Sequence, residues 1–135
     1  MRILHLTSHL NIGGVSSHIL ALSKGLIERG HRVALAADRG QLEDQARALG
    51  LTYWRLPLHT SAEFSPQVFA ASRQLRQQLQ RDPVDVIHAH TRVGQVLASR
   101  MAHRLGLPYV ATWHGFFRRN LGRRVERAQR NSNRR

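Results

Sequence analysis

No cysteine occurs anywhere in the 135 residues. Disulfides, cysteine-ligated zinc and thiol catalysis are therefore excluded together, and the composition suits a cytoplasmic protein, including one on the cytoplasmic face of a membrane. Lysine is almost absent: Lys24 is the single one among 21 basic residues, and the rest are arginine. Acids number eight, which leaves a formal charge of +13. Long apolar runs are missing too. None approaches the roughly 18–20 residues that span a bilayer, and the opening Met1–Leu6 is too short, and too interrupted by His5 and His9, for a signal-peptide core.

What is present is one domain's worth of chain with ordinary apolar content, 41%. The charge is unevenly spread. Residues 118–135 hold eight arginines and one acid, net +7; residues 1–117 hold 13 basic and seven acidic residues, net +6. A basic body suits an anionic partner such as a nucleotide-sugar, a phosphorylated glycan or an acidic membrane surface. It is equally common in soluble proteins that bind none of these.

Strand and helix signals alternate from the first residue. Strands are predicted at 2–7, 32–38, 51–56, 84–89 and 108–113. Val15, Ile19, Leu22 and Leu26 fall at helical spacing, with Ser16 or Ser17 as cap and Gly30 as stop. A short helix follows over 41–49, with Leu42, Ala46 and Leu49 inward and Gly50 closing it. Ser65-Pro66 is a helix start, and Val68, Leu75 and Leu79 give that helix its apolar face. Val93, Val96, Leu97, Met101 and Leu105 form the last helix, ended by Gly106 and Pro108. Strands separated by helices imply right-handed parallel crossovers. The expected fold is an α/β Rossmann-like, doubly wound parallel sheet in the order 3-2-1-4-5. After Phe117 the pattern stops, so 1–117 reads as the domain and 118–135 as a disordered or weakly helical basic tail.

In such a sheet, ligands bind beyond the carboxyl ends of the strands where the order reverses, here between strands 1 and 4. Three segments should converge there: Ser8–Gly14, His88-Ala89-His90-Thr91 and Thr112-Trp113-His114-Gly115. They gather His9, His88, His90 and His114 at one crevice, with Thr91 and Thr112 beside them. Gly13-Gly14 at the turn into the first helix would let a phosphate approach backbone N–H groups at a helix N-terminus, unless the pair merely makes a tight turn. The spacing is not that of a dinucleotide fingerprint, and Asp38 reads as a solvated strand-end carboxylate. A metal between His88 and His90 finds no carboxylate or further ligand at a recognised spacing, so none is expected. Those two histidines would hydrogen-bond a polar ligand or satisfy local backbone. His114, beside Trp113, Phe116 and Phe117, would donate to a sugar hydroxyl or serve as a core residue.

Three of these segments together resemble a family. The strand running into Asn11-Ile12-Gly13-Gly14-Val15, with Ser17-His18 following, is similar to the opening of family-4-type GT-B glycosyltransferases. Val84-Asp85-Val86-Ile87-His88-Ala89-His90 resembles their fourth strand, and Pro108-Tyr109-Val110-Ala111-Thr112-Trp113-His114-Gly115 their fifth. The resemblance covers residues 1–117. It implies the N-terminal, acceptor-side half of a GT-B enzyme that transfers a sugar, with retention and without a catalytic metal or other cofactor, from a nucleotide-sugar to a glycan or lipid-linked acceptor. By resemblance, Gly13 and Gly14 approach the donor, His114 is the catalytic-site contact to the donor sugar, and His88, His90 and Thr91 line the crevice; His9 and Thr112 are placed there by the strand order alone. The family's second domain and its phosphate clamp have no counterpart in these residues. The chain therefore reads as a truncated or frame-shifted product, or one completed by a partner chain, that is inactive alone.

Two other readings compete. A basic module could attach to nucleic acid or anionic membrane through 118–135; that segment lacks interleaved aromatics and an amphipathic stripe, so specific nucleic-acid binding is not expected. A nucleotide-binding oxidoreductase or flavodoxin-like domain is disfavoured by the glycine spacing.

Overall fold

The computed structural model describes residues 1–59 and 64–115. The predicted tail, with Phe116 and Phe117, lies outside them. Among the described residues five parallel strands form one sheet: β1 (Arg2–Leu6), β2 (Arg32–Ala37), β3 (Thr52–Arg55), β4 (Val86–Ala89) and β5 (Tyr109–Ala111). Their order is β3-β2-β1-β4-β5, as predicted. Each strand is shorter than its predicted range by one to three residues, because the ends lie beyond the regular ladder.

Four helices connect them: α1 (Gly14–Glu28), α2 (Glu43–Ala48), α3 (Pro66–Arg81) and α4 (Arg92–Leu105). Among the described residues no helix is long and apolar enough to cross a membrane. Side chains of a strand alternate between its two faces, and the core divides accordingly. Leu4, Leu6, Ala34, Ala36, Ile87 and Ala89 pack under α3 and α4. Val33, Leu35, Ala37 and Tyr53 pack under α1 and α2. Continuous burial along β2, broken only at Arg32, reflects cover on both faces.

Local chemistry sets the helix ends. The Ser65 hydroxyl accepts from Val68 N–H, with Pro66 at the first helical position. Thr91 does the same for Gly94 at the start of α4, and Gly106, at φ 67°, closes that helix in the left-handed region. In α1 the expected serine caps are not used. Gly13 is the cap residue and has no side chain to offer. The buried line is Ser16, Ile19, Leu20 and Ser23, not Val15, Leu22 and Leu26: the two serines let the helix close onto the sheet, while Val15 and Leu26 pack at its margins. Leu105, predicted inward, is 38% exposed.

Candidate functional site

The site is built on a row across the sheet. Register pairs Leu35 with His5, His5 with His88, and His88 with Val110. All four therefore point to the α1 face, and the two central positions are imidazoles. His5 is fully buried and His88 partly so. Just past the end of β4, His90 N–H donates to the Leu6 carbonyl at 2.9 Å, and past β5 Thr112 N–H donates to the Ala89 carbonyl at 2.9 Å. These bonds extend the ladder and fix the loops that carry the next residues.

A chain of hydrogen bonds then runs outward. His5 Nδ1 and His90 Nε2 are 2.9 Å apart, and His90 Nδ1 and His114 Nε2 3.1 Å. His88 Nε2 bonds the Thr112 hydroxyl at 2.6 Å. The His88 and His90 rings stack at 4.1 Å, and the exposed His18 of α1 stands edge-on to His90 and His114. Since a neutral imidazole has one donor and one acceptor nitrogen, the His5–His90–His114 chain works only with the proton order the same along its length.

Burial holds these rings neutral. It is the first cause in each case, with repulsion from neighbouring imidazoles second, lowering His5 to about 3, His90 to about 2 and His88 to about 4. His114 is lowered for the same reasons.

The crevice itself is a cleft of about 280 Å³ lined by Ser8, Val15, His90, Thr91, Thr112 and His114, among others. It lies at the predicted switch point between β1 and β4. Thr91 lines it while also capping α4 and accepting from the Ser8 hydroxyl at 3.1 Å, so its role is partly structural. Gly94 lets α4 begin this close: an added Cβ would lie 2.8 Å from the Leu6 carbonyl oxygen. Gly13 and Gly14 stand exposed at the N-terminus of α1, which has no acid in its first turn. Neither glycine is required by the protein's own packing, because a Cβ on either meets nothing within 4 Å.

His9 departs from expectation. Its ring lies 5.4 Å from His59 and its Nδ1 accepts from Asn11 N–H at 3.4 Å. The interior position belongs to His5, which neighbours His88 and His90 in space and is more than 80 residues from them in sequence. His18 was likewise missed. The signal for His5 was its parity: it shares a sheet face with the other odd-numbered residues of β1. Asp38 is spent locally, accepting from Arg39 and His59 backbone N–H groups.

Comparison with known proteins agrees with the fold. The chain is 34% identical over 113 residues to a human phosphatidylinositol N-acetylglucosaminyltransferase subunit, covering 79% of this chain and 23% of that protein. In backbone it matches MurG of Acinetobacter baumannii at a TM-score of 0.71 and 14% identity, over 96% of this chain and 38% of the other. It also matches Anabaena Alr3699/HepE, solved with UDP and glucose, at 0.67 and 16%, over 98% and 35%. The chain spans less than a quarter of the length of the curated relatives it matches. The model of Glycosyltransferase Family 4 matches residues 12–135, and the chain belongs to that family.

Proposed function

We propose that the cleft is one wall of the sugar-transfer site of a retaining glycosyltransferase, which moves a sugar from a nucleotide-sugar to a glycan or lipid-linked acceptor. The observation that carries the reading is the meeting, at the switch point, of an open helix N-terminus with a row of neutral imidazoles. The free N–H groups at Gly13 and Gly14 suit a diphosphate. The absence of any packing need for glycine there fits close approach of a ligand to the backbone. His114, neutral and held by His90, offers a donor or acceptor to a sugar hydroxyl, and Thr112 is fixed by His88. The reaction in this reading needs no cofactor, the nucleotide-sugar being a substrate.

The cleft volume falls just below the roughly 300–1,000 Å³ of complete small-molecule sites, which suits one wall better than a whole site. Neutral hydrogen bonds contribute net only about 0.5–1.5 kcal/mol each. The 135-residue chain is therefore expected to bind a donor at about 1 mM, some 4 kcal/mol, and to show no measurable transfer. Ligand-observed NMR with UDP-, GDP- and ADP-sugars measures the first, and His114→Ala should weaken binding at least severalfold. Binding unchanged in that variant contradicts the role of His114; turnover by the wild-type chain contradicts the one-wall reading.

A basic surface supports contact with an anionic membrane as part of the same proposal. Arg73 and Arg76 of α3 and Arg100 and Arg104 of α4 line a groove with Phe69, and neither helix contains an acid. Phe64 and Phe69 are 61% and 58% exposed, with the Arg100 guanidinium 6.0 and 5.4 Å from their rings. Co-sedimentation with phosphatidylglycerol vesicles should fall on Arg73→Gln/Arg76→Gln substitution; equal binding by that variant removes the face from the account.

A further inference from the structure

The geometry points to a transition-metal site at the mouth of the cleft, formed by His18, His90 and His114 and selective for a borderline divalent ion of the zinc class. One ring nitrogen from each of the three lies within 4.8 Å of the others. The ligands come from three separate elements: α1, the loop after β4 and the loop after β5. The set is purely imidazole, which suits zinc, copper or nickel and not the oxygen-seeking magnesium or calcium.

A second trio, His5, His88 and His90, meets the same distance criterion, but the arrangement favours the outer one. His5 is 0% exposed and closes off the inner position, whereas His18 is exposed and His90 and His114 line the cleft. The inner histidine instead supports the outer site. With His90 Nδ1 on the metal, His90 Nε2 keeps its proton and donates it to His5 Nδ1, 2.9 Å away. Metal-bound histidines characteristically donate their second ring N–H in this way, which fixes tautomer and ring orientation. His90 Nδ1 and His114 Nε2 are already 3.1 Å apart, close to the separation of two nitrogens on one zinc ion, so the ion would replace the proton they share once both rings turn toward it. His18, on the open side, completes the set by a side-chain rotation. Three nitrogens leave at least one coordination position for water or a ligand oxygen.

The site shares His90 and His114 with the proposed sugar-transfer wall, so metal and sugar hydroxyl are alternative partners of His114; it is inferred from the imidazole geometry and not from the sugar-transfer reading. Its test uses the full chain, purified without a histidine tag. Calorimetry with Zn²⁺ and visible absorption with Co²⁺ should show one equivalent bound, with the intense d–d bands of four- or five-coordinate cobalt. His18→Ala, a change at an exposed position that leaves the core untouched, should weaken binding at least about tenfold, and His114→Gln should do the same. The double variant His9→Ala/His59→Ala, at the other histidine pair, should bind as the wild type does. Absence of saturable binding overturns the proposal. So does binding that survives His18→Ala, or that is lost in the His9/His59 variant.

Discussion

Between pH 7.5 and pH 5 the folded state should lose about 2–4 kcal/mol of stability, most of it through His5 and His90. Both are buried, at 0% and 3% exposure, with folded values near 3 and 2 against 6.5 for a free imidazole. The sign follows from proton uptake. Above about pH 6.5 both rings are neutral in the folded and unfolded chain, and they add no pH dependence. Below it the unfolded chain binds protons that the folded one refuses, so acid favours unfolding. The loss continues as pH falls toward the folded values, at up to ~1.4 kcal/mol per unit for each ring. Glu43, held below its usual range by Arg47 and Arg55 despite the opposing effect of burial, is lost only at lower pH. Urea unfolding at the two pH values measures the difference. A loss below about 1 kcal/mol, or NMR signals showing His5 or His90 protonated in the folded protein at pH 5, contradicts the buried neutral chain.

Gly40→Ala should cost about 3 kcal/mol or more, at the upper end of overpacking effects. Its added Cβ would lie 2.4 Å from the carbonyl carbon and oxygen of Leu10 and 2.7 Å from its nitrogen. The contact is with backbone, which rotamer changes do not relieve. Leu10 is buried, and its carbonyl accepts from Leu42 N–H at 3.0 Å. Gln41 N–H donates to Asn11 Oδ1, and Ile12 N–H to Gln41 Oε1. The loop after β2 thus holds the loop that leads into Gly13 and Gly14, and forcing them apart disturbs the N-terminus of α1. Gly13→Ala is the contrast: its backbone is extended and its Cβ enters open space, so stability should change by less than about 1 kcal/mol while donor binding weakens. Thermal melts of the pair decide it. Near-equal melting temperatures for Gly40→Ala and wild type would show that the two loops move apart freely.

The strand order and the place of the cleft were legible because they follow from alternation: apolar runs stopped by glycine and proline, joined by amphipathic helices. The rotational setting of α1 was not. The apolar stripe indicated Val15, Leu22 and Leu26, but the line buried against the sheet includes two small polar residues, Ser16 and Ser23, and small polar residues carry no hydrophobic signal. The cleft lining was legible where its residues were contiguous with a strand end, as in His90, Thr112 and His114, whereas His88, expected there too, is not among the lining residues. It was misread where proximity came from the register of distant strands. His9, nearer the predicted loop, stood out in the sequence, but it is the register of β1 with β4 that sets His5 beside His88. The same limit applies to metal ligands, since spacing rules find ligands on one element and this trio is drawn from three.

The switch-point cleft, and not the arginine-rich face of α3 and α4, should receive the nucleotide-sugar. Titration of the ¹⁵N-labelled chain with UDP-N-acetylglucosamine, followed by amide chemical-shift mapping at about 0.15 M salt, where exposed charges more than about 8 Å apart are largely screened, tests it most directly. Saturating shifts are expected at Gly13, Gly14, Thr112 and His114, and none in Gly13→Ala/His114→Ala. Shifts confined to Arg73, Arg76, Arg100 and Arg104 that vanish as salt is raised would contradict it.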